Sequence, residues 1–204
     1  MKSEAIINYY FQNESGGLLR FPPIMRNLKR GPQVVLPKDF GMVAAFTGIG
    51  KKSTVVDAGT GSGFLAIALG NIVKSVVTYE KREDFVKLAE RNIKASGLRN
   101  VKIKRKDVFK GISERDVDLV TLDLADSEKA IRHAKRALKD GGYAVGFLPN
   151  MEQVKEFVRE LEKNKFSEVF TMECITREIL VREQGVRPEN MGLMHTVYLT
   201  FGRK

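Results

Sequence analysis

Ser53-Thr-Val-Val-Asp57-Ala-Gly59-Thr-Gly61-Ser-Gly63-Phe-Leu-Ala-Ile-Ala-Leu-Gly70 is the stretch that decides the fold. A β-branched run ends in an acid at Asp57, a glycine-rich turn follows, and an apolar run suited to a helix comes next. Glycines in such a turn allow tight backbone conformations and let a ligand approach the chain closely. The next strand, residues 75–80 (SVVTYE), ends in Glu80, 21 positions after Gly59. That spacing places a carboxylate on ribose hydroxyls. The glycines here run G-x-G-x-G, whereas a dinucleotide fingerprint needs G-x-G-x-x-G. The spacing alone therefore leaves the nucleotide open, and a purely structural turn is the competing reading.

Working outward, strands and helices alternate. Residues 82–96 put Phe85, Val86, Ala89 and Ile93 on one helical stripe, and residues 101–104 alternate like a strand. Residues 117–124 (VDLVTLDL) read as a fourth strand. A helix is predicted from about 127 to 138, ended by a left-handed cap at Asp140-Gly141-Gly142. Residues 143–148 form strand five, residues 152–164 an amphipathic helix, and two strands near 166–174 and 195–201 close the chain. The alternation predicts an α/β fold with a doubly wound, mostly parallel sheet. No crossover helix separates the last two strands, so they are expected to pair antiparallel at one edge, through residues 175–194. Residues 1–30, with Gly16-Gly17 and Pro22-Pro23, read as a short N-terminal appendage with room for a strand or two, with a boundary near Gly31-Pro32 and one domain over 31–204.

A chain of 204 residues suits one such domain. It has no apolar run long enough to span a bilayer and no export signal in MKSEAIINYYFQNESGG. Cys174 is the sole cysteine, which excludes an intrachain disulfide and a cysteine-built zinc site and fits a reducing, cytoplasmic setting. The formal net charge of +10 fits an anionic partner such as nucleic acid, or else a solvated Lys/Glu-rich surface. Basic residues cluster at Lys29-Arg30, at Lys102 to Lys110, at Arg132 to Lys139, and at Arg177, Arg182 and Arg187.

Asp57-Ala-Gly-Thr-Gly-Ser-Gly63 resembles the first motif of class I S-adenosylmethionine methyltransferases. Further stretches narrow the resemblance: Arg30-Gly-Pro-Gln33-Val-Val-Leu-Pro-Lys38-Asp39, Tyr79-Glu80-Lys81-Arg82-Glu83-Asp84-Phe85, Leu122-Asp123-Leu124, and Arg187-Pro188, Met191 and His195-Thr196. In order and spacing they are similar to the tRNA (adenine-N1)-methyltransferase family over residues 30–204. The resemblance implies a Rossmann-like seven-stranded sheet, S-adenosylmethionine as cofactor, no metal, a tRNA partner methylated at N1 of a T-loop adenine, and a homotetramer. It implies cofactor contacts from Gln33, Asp57, Gly59, Thr60, Gly61, Ser62, Gly63, Glu80, Lys81, Asp107, Val108 and Asp123. Two features depart from the family: it usually carries a longer N-terminal β-domain, and it has prolines where Asp123-Leu124-Ala125-Asp126-Ser127 stands here.

Methylation of adenine N1 needs no base, because N1 already exposes a lone pair. It needs alignment and a negative group near the cation that develops. Asp123, ending strand four, is the expected catalytic carboxylate; a strand-end helix cap is the alternative. Tyr79, Arg187 and His195 are expected on the substrate side, although a strand-end tyrosine can equally be core and a lone histidine structural. Lys38-Asp39 reads as part of a cofactor lid or as a surface ion pair. A small-molecule methyltransferase of the corrin-pathway type and a non-catalytic RNA-binding subunit are the competing functions. The latter would be expected to lose the glycine motif.

Overall fold

A computed structural model of the chain describes residues 21–31, 33–189 and 195–204. Gly16-Gly17, Pro32 and Met191 lie outside the described residues. The elements run α1 (Pro37–Thr47), β1 (Thr54–Ala58), α2 (Phe64–Gly70), β2 (Ser75–Glu80), α3 (Glu83–Ser96), β3 (Val101–Arg105), β4 (Val117–Leu122), α4 (Ile131–Ala137), β5 (Leu138–Leu148), α5 (Met151–Lys163), β6 (Ser167–Glu173), β7 (Ile179–Arg182), β8 (Gly185–Pro188) and β9 (Tyr198–Arg203).

Seven strands form one sheet in the order β3-β2-β1-β4-β5-β9-β6. β1 to β5 are mutually parallel, and β9 runs antiparallel to both β5 and β6. The late pair thus joins as the sequence predicts. The antiparallel strand is β9, one place in from the edge, and β6 lies outside it. The strands are apolar on both faces, as a sheet covered by helices requires. Val55 and Leu119 face a core shared with α1, α2 and α3, whereas Val56 and Val120 face one shared with α4 and α5. Phe21, Met25 and Leu28, from the stretch read as an appendage, are buried in the first of these cores.

Two local readings need correction. The helix before β5 ends at Ala137, and its cap Leu138 is already extended. Asp140-Gly141-Gly142 therefore lies within β5 and caps nothing. Gly141, at φ 79°, kinks the strand there and donates its N–H to the Lys204 carbonyl (2.9 Å). Apolar periodicity ran on through Leu138 because that side chain packs into the same core as Ala134 and Ala137. In addition, the connection 175–194 contains a two-stranded hairpin, β7–β8, that the sequence reading missed. Its strands are exposed, so the buried-face alternation that reveals a strand is lacking.

Chain order reverses between β1 and β4: one half of the sheet is built outward as β1-β2-β3, the other as β4-β5. Ligands of open α/β sheets bind at this switch point, beyond the carboxyl ends of the strands.

Candidate active site

A cleft of ≈ 450 Å³ opens at that point. Its walls come from the turns that follow β1, β2, β3 and β4 and from the strap that precedes α1, each of which contributes residues the sequence singles out: Gly59 and Gly61, Glu80 and Lys81, Asp107 and Val108, Asp123, and Gln33.

The β1 turn is built around Gly59. At φ 93° a Cβ there would sit 1.9 Å from the Asp123 carbonyl oxygen, so only glycine lets the ends of β1 and β4 touch. The Asp123 N–H donates to the Ala58 carbonyl (2.9 Å), which locks the approach. Glu80 is nearly buried, and backbone donors hold its carboxylate. Oε1 accepts from the N–H groups of Lys81 and Arg82 (3.0 Å each), and Oε2 accepts from Gly61 (3.2 Å). A carboxylate offers about four lone-pair sites. Three are filled, leaving one on Oε2 for a hydroxyl. Asp107 caps the short turn Val108–Lys110 by accepting from the Phe109 N–H (3.0 Å).

Asp123 makes no helix cap. The turn after it is capped from Asp126, without a side-chain bond. Crowding by protein raises its carboxyl pKa to about 7, and the charge of Asp57 adds to the rise. Yet the Asp123 residue is exposed, at the open cleft. Water reaching the carboxylate favours its charged form and opposes that rise.

Several expected contacts are placed elsewhere. Asp57 is 1% exposed and lies behind the turn. Its oxygens accept from Thr78 (2.6 Å) and Thr121 (2.7 Å), and Thr60 stands 2.5 Å from Thr78. This chain of hydroxyls ties β1, β2 and β4 together. Burial raises the pKa of Asp57 and the two threonine hydroxyls pull it back. Thr60 and Ser62 are buried, and the Gly63 N–H is spent on the Thr60 carbonyl, so these three shape the turn from behind. Tyr79 borders the cleft, but its hydroxyl points away, bonded to Glu114 (2.5 Å) and Ser113 (3.0 Å). Its competing reading, core packing, accounts for those bonds.

His195 stands outside the cleft walls. Its Nδ1 meets Glu173 Oε1 (2.6 Å) and its Nε2 meets the Pro149 carbonyl (3.2 Å). The Glu173 hydrogen bond raises its pKa against the opposing effect of burial, and an imidazolium satisfies both acceptors. Arg187 is exposed on β8, away from the cleft. Lys38 and Asp39 are not cleft-lining residues, and they form no surface pair. Asp39 is 1% exposed, and the Lys38 ammonium is 2.7 Å from its Oδ1.

The sequence reading missed the aromatic wall. Phe85 and Phe109 line the cleft, with the Arg82 guanidinium 3.7 Å from the centre of the Phe85 ring. It also missed Asn92, which is buried on α3. Asn92 donates to the carbonyls of Lys29 and Ser62 (2.7 Å each) and accepts from the Lys29 N–H (2.9 Å). Polar residues on a buried helix face break the apolar stripe, and that break was the available signal.

With this geometry in view, similarity to known proteins is decisive. Residues 24–197 match the family described as the tRNA methyltransferase complex GCD14 subunit. The chain belongs to this family. It is 38% identical over 210 residues to the tRNA (adenine(57)-N(1)/adenine(58)-N(1))-methyltransferase TrmI of Methanocaldococcus jannaschii, covering 88% of this chain and 74% of that protein. The crystal structure of tRNA (m1A58) methyltransferase TrmI from Aquifex aeolicus superposes with a TM-score of 0.82 at 30% identity, covering 88% of this chain and 73% of the other. A Thermotoga maritima structure described as an S-adenosylmethionine-dependent O-methyltransferase superposes at 0.85 with 34% identity, covering 90% and 71%. Within the family frame, the proline-free loop after Asp123 still lines the cleft, through Leu124 and Ala125. No metal-binding group of three or more His, Cys, Asp or Glu occurs among the described residues. No helix among them is long and apolar enough to cross a membrane.

Proposed function

We propose that this chain transfers a methyl group from S-adenosylmethionine to N1 of an adenine in the T-loop of tRNA. The observation that carries the reading is the convergence, in a family member, of a glycine cradle, the held carboxylate of Glu80 and the strand-end Asp123 on one cleft. A transcript whose T-loop adenines are replaced by guanine should accept no label, while the unaltered transcript does. Equal labelling of both would overturn the reading.

The residues fit the cofactor. The cleft volume suits a nucleoside-sized ligand. Gly61, where the nearest atom to a Cβ position is 3.9 Å away, leaves room for close approach, and the free lone pair of Glu80 suits a ribose hydroxyl. Asp107, Val108 and Phe109 offer a polar and apolar edge for a base. S-adenosylmethionine supplies an electrophilic methyl group on a sulfonium. Gln33 and Lys81 border the same space, and Asp123 faces the developing adenine cation. Asp57, Thr60, Ser62 and Gly63 support the turn. Glu80→Ala should weaken cofactor affinity by one to two orders of magnitude, at about 1.4 kcal/mol per tenfold. Calorimetry giving an unchanged Kd would remove Glu80 from the site.

The RNA side rests on charge. Arg177, Arg182 and Arg187 sit on the excursion from the carboxyl edge of the sheet, Arg182 and Arg187 on the exposed hairpin. With the +10 net charge they support phosphate contacts. Affinity for tRNA should fall with salt, at a log–log slope between the value of about −0.9 per phosphate contacted for a B-form duplex and about −0.7 for single strands. A flat dependence between dilute and physiological buffer contradicts a phosphate-led interface. His195 lies beside the root of this excursion, where it supports the substrate side. A cytoplasmic setting and a homotetramer complete the proposal, and light scattering of the purified protein tests the latter.

A further inference from the structure

The strap that brings Gln33 to the cleft is pinned at both ends. Upstream, Asn92 holds Lys29 by two hydrogen bonds and bonds the Ser62 carbonyl of the glycine turn. Downstream, Lys38 lies in the first turn of α1, and its ammonium spends all three protons: on Asp39 Oδ1 (2.7 Å), the Cys174 carbonyl (2.6 Å) and Thr196 Oγ1 (2.6 Å). Thr196 in turn donates to Asp39 Oδ2 (2.9 Å), closing a ring of bonds. Lys38 is 10% exposed and Asp39 1%.

Cys174 is the residue after β6, and Thr196 precedes β9 by two positions. They are the points where the chain leaves the sheet for the β7–β8 excursion and where it returns. One ammonium therefore grips both roots of the segment carrying Arg177, Arg182 and Arg187, and lies five positions from a residue in the cofactor cleft. His195, on the returning root, also meets Glu173 at the end of β6 and the Pro149 carbonyl just after β5. A surface ion pair contributes little and explains none of this. A buried one with every proton placed fixes relative position, because any displacement leaves a charge unpaired.

We infer that Lys38 is a positioning residue that couples cofactor binding to tRNA binding: RNA held on the excursion sets the two roots, the roots set Lys38, and Lys38 sets the strap that presents Gln33. This rests on the proposed tRNA methylation. The coupling is reciprocal, as linkage requires, and factors of about 5–150 are typical of such systems.

The test measures the Kd of S-adenosylhomocysteine, the cofactor without its transferable methyl group, by calorimetry with and without saturating unmodified tRNA, so that no turnover occurs, in the unaltered chain and in Thr196→Val and Lys38→Met. Thr196→Val leaves the Lys38–Asp39 pair intact, so it decides the matter if Lys38→Met fails to fold. The expected result is a coupling factor of at least about 5 in the unaltered chain that falls to about 1 in Thr196→Val, with cofactor affinity in the absence of RNA changed less than about threefold. In cofactor-free protein, tRNA should slow amide exchange over residues 33–38, and Thr196→Val should remove that protection. A coupling factor that Thr196→Val leaves unchanged overturns the inference, as does an unaltered chain that methylates tRNA without coupling. Failure of the unaltered chain to methylate tRNA at all instead sinks the functional reading on which the inference rests.

Discussion

Gly59→Ala is expected to abolish measurable cofactor binding and to destabilise the protein by several kcal/mol. Two costs add. An alanine at φ 93° occupies a region that costs roughly 1–3 kcal/mol for a residue with a side chain. Its Cβ would lie 1.9 Å from the Asp123 carbonyl oxygen and 2.7 Å from the carbonyl carbon, so the backbone must part, at a further cost of about 1–3 kcal/mol or more. Neither neighbour can rotate away, since both are main chain at the paired ends of β1 and β4. The displacement moves the two things the site needs together, the glycine cradle and the Asp123 carboxylate. Gly61→Ala is the control. Its φ is also positive, but the nearest atom to a Cβ there is 3.9 Å away, so it bears conformational strain without the clash. Thermal unfolding and calorimetry should show the Gly59 variant far worse than the Gly61 variant. Equal effects would mean that the contact between β1 and β4 yields easily.

The second large effect concerns Asp123. Asp123→Ala should lower kcat by about 10²–10³, the usual scale for one well-placed polar group, while cofactor affinity changes little. Glu80 and Asp107 follow β2 and β3, whereas Asp123 follows β4 on the far side of the switch point, the side proposed for the acceptor. In the proposed reaction its service is electrostatic: the carboxylate would face a base that becomes a cation. With a pKa raised to about 7 by crowding and by Asp57, the ionised fraction falls as the pH drops. Turnover at saturating substrates should therefore decline below about pH 7, and that limb should vanish in Asp123→Asn. Loss of cofactor binding in proportion to lost turnover would instead make Asp123 a cofactor ligand.

Much of the site was legible because its logic is local. The strand, turn and helix around Gly59 and the spaced Glu80 follow from short-range rules, and the family motifs placed Asp107, Gln33 and Asp123 at the same cleft. Chemistry between distant residues was not legible. Asp57 reads as a ligand contact because it opens the motif, yet Thr78 and Thr121 arrive from two other strands to engage it. Lys38 and Asp39 read as a lid element or a surface ion pair because nothing local shows Cys174 and Thr196 closing over them. Gly141 and Gly142 read as a helix stop because glycine punctuates helices and kinked strands alike. The β7–β8 hairpin was missed because exposed strands lose the alternation that burial imposes.

The central claim is the identity of the methylated atom. Unmodified tRNA transcript incubated with the protein and methyl-labelled S-adenosylmethionine, then hydrolysed to nucleosides, reads that atom directly. The account predicts label in 1-methyladenosine, from a T-loop fragment. Label on a ribose or other hydroxyl oxygen, or on a base other than adenine, would contradict it.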